Sequence, residues 1–240
     1  IHSDRMLREN NEKMRQEFTA NVSHELKTPL TSISGYAELI ETGIAKPEDT
    51  PGFARKIHVE ASRMIQLVND ILQLSHLDNV SETGAAPAME AVDLLDVARE
   101  CVERQKVNAR HSYISLTYLG ESAPVTGSRV LLDELCQNLC DNAIRYNRPG
   151  GKVQIITACT RDGHCTLTVK DNGIGIPKEA QTSVFERFYR VDKSRSKATG
   201  GTGLGLAIVK HIARIHNARI KLDSVVDEGT TITVIFETAS

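Results

Sequence analysis

Two apolar stripes of helical period fill the first third of the chain, and neither can be buried alone. Leu7, Met14, Phe18, Val22, Leu26, Leu30, Ile33, Ala37 and Ile40 recur at steps of three, four or seven, which predicts one long helix over residues 4–44. Gly43 and the turn-rich AKPEDTP (45–51) stop it. Phe53, Ile57, Ala61, Met64, Val68, Ile71 and Leu74 then repeat the pattern. Two amphipathic helices joined by a short loop make an antiparallel hairpin with one stripe per helix still to cover. A second copy covers both. The expected assembly is a homodimeric four-helix bundle, with residues 1–18 as its coiled-coil lead-in.

The first helix carries a breaker. In FTANVSHELKTPLTSI (18–33), the pair His24-Glu25 is followed by Pro29. Proline cannot donate to the carbonyl four residues back, here that of Glu25, and its ring crowds the same carbonyl. A bend beside the His-Glu pair is expected, and with it a hinge. Thr28, four residues after His24, shares its face of the helix.

Composition sets the outer limits. A chain of 240 residues suffices for two domains, and 40% apolar with 25% charged residues is globular usage. Aromatics are only 4% and Trp is absent, which favours aliphatic helical cores. A net charge of −2 gives no electrostatic case for nucleic acid or an anionic membrane surface. No apolar run approaches the roughly 18 residues of a spanning helix. The chain starts at Ile1, so it is expected to be a piece of a longer protein. Cys101, Cys136, Cys140, Cys159 and Cys165 are odd in number and lack zinc-type spacing, which predicts buried, reduced thiols in a cytoplasmic setting.

Residues 79–90 (NVSETGAAPAME) have linker composition, and the period changes beyond them. The expected division is a hairpin domain 1–80, a linker 81–91 and a second domain 92–240. Within the latter, helices are expected near 92–110, 128–146 and 203–217, with strands at 113–119, 152–159, 165–171, 219–225 and 230–236. That order fits an α+β sandwich, a mixed sheet covered by helices on one face.

Four segments of the second half carry chemistry. DNGIGIP (171–177) ends a strand with Asp171, then Gly173 and Gly175 let the backbone turn tightly against a ligand. GGTGLGLAIVK (200–210) is a glycine run opening into a helix, the arrangement of a phosphate cradle. It is neither a dinucleotide fingerprint nor a P-loop. In ELCQNLCDNAIRYN (134–147), Asn138 and Asn142 share one helix face near Arg145 and Tyr146, a polar set suited to Mg²⁺ and phosphate oxygens or, equally, a solvated face. VFERFYRVDKSRSKATGG (184–201) reads as a glycine-hinged lid or an ordinary surface loop.

In this order and spacing the four segments resemble the N, G1, F and G2 boxes of the sensor histidine kinase ATP-binding domain. NVSHELKTPLTSISGYAELI resembles the phosphoacceptor box of the same family. The family lies within the wider GHKL ATPases, with gyrase, Hsp90 and MutL. The resemblance implies a dimeric helical hairpin followed by a GHKL-type α+β domain, with ATP and Mg²⁺ as cofactors. It implies that Asp171 accepts from the adenine amino group and that Asn138 and Asn142 hold Mg²⁺. Arg145 and Tyr146 would lie near the nucleotide, with Gly173 and Gly175 beneath it. Gly201, Thr202, Gly203, Leu204 and Gly205 would close over the phosphates. Arg187 would stabilise the γ-phosphoryl group in flight. Arg145 departs from the lysine common in the family, exchanging a point charge for a planar fork.

By the same resemblance His24 is the phosphoacceptor, Glu25 its base and Thr28 the mark of members that also dephosphorylate their partner. That partner is a response-regulator receiver domain, docking near Ser32 and Tyr36. The hydrolysing GHKL enzymes carry a glutamate four residues before the Mg²⁺ asparagine. Here that place is Asn138, which takes no proton and leaves water unactivated. The other histidines (His58, His76, His111, His164, His211, His216) are expected at the surface. Three rivals stand: a GHKL ATPase clamp, a dimeric phosphotransfer scaffold without catalysis, and a phosphatase-dominant member of the same family. The full-length protein would reach the membrane through upstream segments.

Overall fold

The structure is a computed structural model that describes residues 2–83, 87–192 and 200–237, with no side-chain description for 2–15 and 81–83. The coiled-coil contacts expected at 1–18 fall mostly on those side chains, and the basic heart of the expected lid, residues 193–199, lies outside the described residues. Two compact units form, Ile1–Ile71 and Leu72–Ser240.

Helices α1 (His2–Glu41) and α2 (Thr50–Thr83) make the hairpin. Across it, Tyr36 and Phe53 stack with centroids 5.6 Å apart, and the Lys56 ammonium lies 5.2 and 5.5 Å from the two rings. Leu30, Val59, Ile65 and Val68 remain exposed, the apolar surface one copy cannot cover. Pro29 lies inside α1, which continues through it. Around it, Ser23, Thr28, Thr31 and Ser32 each donate a hydroxyl to the carbonyl four residues back, at 2.9, 3.2, 2.8 and 3.3 Å. Such back-bonds compete with the helix ladder and favour bending, so the proline acts in a segment already loosened.

α2 runs three residues past the expected end of the hairpin domain and supplies buried Leu74 and Leu77 to the second unit. The rest of that unit is β1 (Glu90–Asp93), α3 (Leu94–His111), β2 (Ser115–Gly120), β3 (Pro124–Gly127), α4 (Arg129–Arg145), β4 (Lys152–Cys159), β5 (Cys165–Asp171), α5 (Gly205–Ile215), β6 (Arg219–Val225) and β7 (Gly229–Phe236). The sheet order is β2-β4-β5-β7-β6, parallel only between β2 and β4. β4, β5 and β7 alternate, burying Val153, Ile155, Leu167, Val169, Ile232 and Val234 against the helical layer of Leu135, Leu139, Ile208 and Ile212. The α+β sandwich is as expected. β1 and β3 pair with each other and were not foreseen, since four residues are too few to show a period. Asp93 accepts from Leu95 N–H at 2.9 Å and so starts α3 two residues later than the pattern suggests.

Two expectations need correction. Cys159 and Cys165 are joined by a disulfide rather than held as thiols, because the β4–β5 register sets them directly opposite. Cys101, Cys136 and Cys140 are free and buried. His216 is a buried strut, not a surface residue: its Nε2 accepts from Ser128 N–H at 3.0 Å and Nδ1 pairs with the Ile212 carbonyl at 2.8 Å. His211 is also largely enclosed, beside Asp78 and Arg187.

Candidate functional site

In the hairpin, α1 presents His24 to solvent with 77% of its side chain exposed, while Glu25 turns inward. Glu25 Oε1 lies 4.0 Å from His24 Nδ1 and Oε2 lies 3.9 Å from Nη2 of Arg63 on α2. The ring nitrogen away from the carboxylate, Nε2, is therefore the one open to an electrophile. The Thr28 hydroxyl proton is engaged by the His24 carbonyl, which leaves its oxygen as an acceptor.

In the second unit, four segments meet: the turn after β5, the end of α4, the 186–190 turn and the glycine run before α5. Asp171 closes β5, and its Oδ1 accepts from Gly173 N–H at 2.8 Å and Thr230 N–H at 3.3 Å. Burial raises its carboxyl to about pKa 6, against the pull of those two N–H groups. Gly175 takes φ +69°, and a side chain there would collide with the Val225 carbonyl, so only glycine lets the turn close on β6. Ile174 N–H donates to the Tyr146 carbonyl at 3.1 Å, tying this turn to the end of α4.

Helix α4 buries Leu132, Leu135, Cys136, Leu139 and Cys140, and Asn138 and Asn142 lie half-buried along the edge of that face. Both face Gly205 at the start of α5. A Cβ on Gly205 would stand 2.9 Å from Asn138 Oδ1 and 3.6 Å from Asn142 Nδ2, so the glycine admits both amides to the helix end. That end has no side-chain cap on its orphan N–H groups. Gly201 sits against the Tyr146 hydroxyl and Arg145. Thr202 Oγ1 accepts from Leu204 N–H at 3.3 Å. Leu204 is fully buried and packs into the core at the start of α5.

Arg187 points elsewhere. Its Nη2 donates to both oxygens of Asp78, at 2.8 and 3.0 Å, and lies 3.3 Å from His211 Nε2. Arg190 enters the glycine segment instead, donating to the Thr202 carbonyl at 3.0 Å, with Gly203 φ +75° beside it. The turn that separates the two arginines holds Phe188 at φ +62°, its N–H bonded to the Gly203 carbonyl at 2.9 Å. Nothing in ERFYR reveals that turn, so the sequence does not show that Arg190 rather than Arg187 contacts the glycine segment.

The donor set fits Mg²⁺ brought in with a triphosphate: two neutral amides beside uncapped N–H groups, with room secured by a glycine. Among the described residues no cluster of three or more His, Cys, Asp or Glu could hold a metal ion. No helix of those residues is long and apolar enough to cross a membrane.

An exposed His-Glu pair on a helical hairpin, followed by an α+β domain with an amide- and glycine-lined helix terminus, defines a class. Residues 14–80 match the His Kinase A (phospho-acceptor) domain, and 127–240 match the histidine kinase-, DNA gyrase B- and HSP90-like ATPase domain. Over 228 residues the chain is 44% identical to the sensor-like histidine kinase SenX3 of Mycolicibacterium smegmatis, covering 93% of this chain and 57% of that protein. The mycobacterial sensor histidine kinase MprB shares 32% identity at TM-score 0.54, over 62% of this chain and 97% of that structure. Full-length ShkA, solved in complex with AMPPNP, shares 25% at TM-score 0.64, over 93% and 46%. The fold also matches histidine kinase ThkA, solved in complex with the response regulator protein TrrA, at 22% identity and TM-score 0.74, over 97% and 64%. The chain belongs to the sensor histidine kinases.

Proposed function

We propose that this chain is the catalytic core of its sensor kinase, that it phosphorylates its own His24 from Mg²⁺-ATP, and that it passes the group to an aspartate of a response regulator. The observation that carries this is the meeting of Asn138 and Asn142 with the uncapped start of α5 at Gly205. Asp171 selects adenine as a hydrogen-bond acceptor, Arg145 and Tyr146 border the phosphates, and the backbone of 201–205 donates to them. Arg190, already in the glycine segment, takes the γ-phosphate role expected of Arg187. Asn138 and Asn142 would hold Mg²⁺, whose charge would offset that developing on the triphosphate. The AMPPNP complex of ShkA supports an ATP substrate.

For transfer, His24 Nε2 forms a bond to the γ-phosphorus as that atom's bond to the β,γ-bridging oxygen breaks and ADP leaves. The Nδ1 proton passes to Glu25. Asn138 offers water no base, so the phosphoryl group survives for the imidazole. The exposed Leu30 on α1 and the neighbouring Ile65 and Val68 on α2 support a homodimer, and the ThkA–TrrA complex supports a regulator as partner. Residues 1–80, 81–91 and 92–240 are assigned to hairpin, linker and ATP-binding domain. The core would lie in the cytoplasm, joined to the membrane through segments upstream.

Incubation with labelled ATP tests the reading. Acid-labile, alkali-stable phosphate should form on wild type and vanish in His24→Ala and Asn142→Ala. Mixed dimers of those two variants should report whether transfer runs within or between subunits. Rapid ATP turnover that persists in His24→Ala would instead favour the clamp, and unlabelled wild type the scaffold. The free lone pairs of Thr28 favour a second activity, placing water for dephosphorylation of the regulator. Thr28→Ala should slow that loss at least about tenfold while His24 labelling continues.

A further inference from the structure

Arg63 is a cation held on the inner side of the hairpin. It sits on α2 one turn before buried Leu67, in line with Asp70 and Leu74, so it occupies the inward stripe where an aliphatic side chain belongs. Only 14% of its side chain is exposed. A guanidinium so placed must meet an anion. It meets Glu25, at 3.9 Å through Oε2, while the other carboxylate oxygen faces His24 Nδ1 at 4.0 Å.

We propose that Arg63 is a positioning residue for phosphorylation of His24: it holds one oxygen of Glu25 so that the other stays directed at the imidazole. A glutamate has three side-chain torsions, and an exposed neighbour such as His24 cannot by itself select among its rotamers. An anchor from the opposite helix can. The arrangement has the form of base and orienter, with Arg63 the orienter and His24 the group acted on. The inference rests on the assignment of Glu25 as base. It also makes reactivity depend on α2, since the anchor and the acceptor sit on different helices.

The test uses the whole chain and follows initial rates of ATP-dependent His24 labelling. Arg63→Met keeps the stem and removes the charge, Arg63→Lys returns a cation, and both are combined with Glu25→Gln. Arg63→Met should lower kcat by about tenfold or more, with KM for ATP and the melting temperature unchanged. Arg63→Lys should recover part of that loss, and adding Arg63→Met to Glu25→Gln should produce no further fall. Wild-type rates in Arg63→Met, or an equal fall in both backgrounds, would overturn the proposal while leaving His24 as acceptor. Absence of label on wild-type His24 would overturn the functional reading and this inference together.

Discussion

Asp171, the proposed adenine acceptor, is held at a cost to the fold. Its carboxyl is lifted from the unfolded value of 3.8 to about 6, so the folded protein binds the proton more tightly than the unfolded chain does. Stability from this group is therefore highest below about pH 4 and is lost as pH rises through 6. Asp171→Asn should raise the melting temperature of the nucleotide-free protein at pH 8, and should not at pH 4. The same variant should lose adenine nucleotide binding, as should wild type on acidification below about pH 6, since a protonated carboxyl is a poorer acceptor. Calorimetry at the two pH values, with and without nucleotide, reads both effects. Asp171, Asn138, Asn142 and the glycines could be singled out in the sequence because the family's boxes place these residue types at fixed spacings, and the fold brings their segments together. Arg187 and Arg190 were not distinguishable, because three residues and a left-handed Phe188 decide which of them reaches the glycine segment.

Among elements, α1 is the one built against its own propensity. Pro29 removes a ladder bond and four neighbouring hydroxyls draw on nearby carbonyls. Pro29→Ala should stabilise the hairpin by about 1–3 kcal/mol. Amide exchange across residues 25–33 should slow with it, and unchanged exchange there would show that the proline does not soften the segment. Helices and long strands were readable from period alone. The short β1–β3 pair, and the Cys159–Cys165 bridge that depends on register across β4 and β5, were hidden because pairing is not a local property.

The exposed apolar residues of the hairpin are the contact surface of the proposed homodimer. Ile65, 63% exposed, should tolerate alanine, whereas Ile65→Asp should shift the protein from dimer to monomer in light scattering. The placing of the second unit's start was the least legible feature of the whole molecule. Composition marks a boundary after residue 80, yet Leu74, Leu77 and Asp78 belong to the compact unit that begins at Leu72. A fragment starting at residue 92 removes two apolar plugs and the carboxylate that Arg187 grips. It should melt lower than one starting at residue 72, and equal melting would show that those turns add nothing. The wider consequence concerns how occupancy is felt along the chain. A nucleotide bound to the second unit suppresses every opening that disrupts its site, and on the proposed reading the fraying of residues 72–80 is one of them. The closing turns of α2 thus register a full or empty cradle, and deuterium uptake there would fall when ATP arrives.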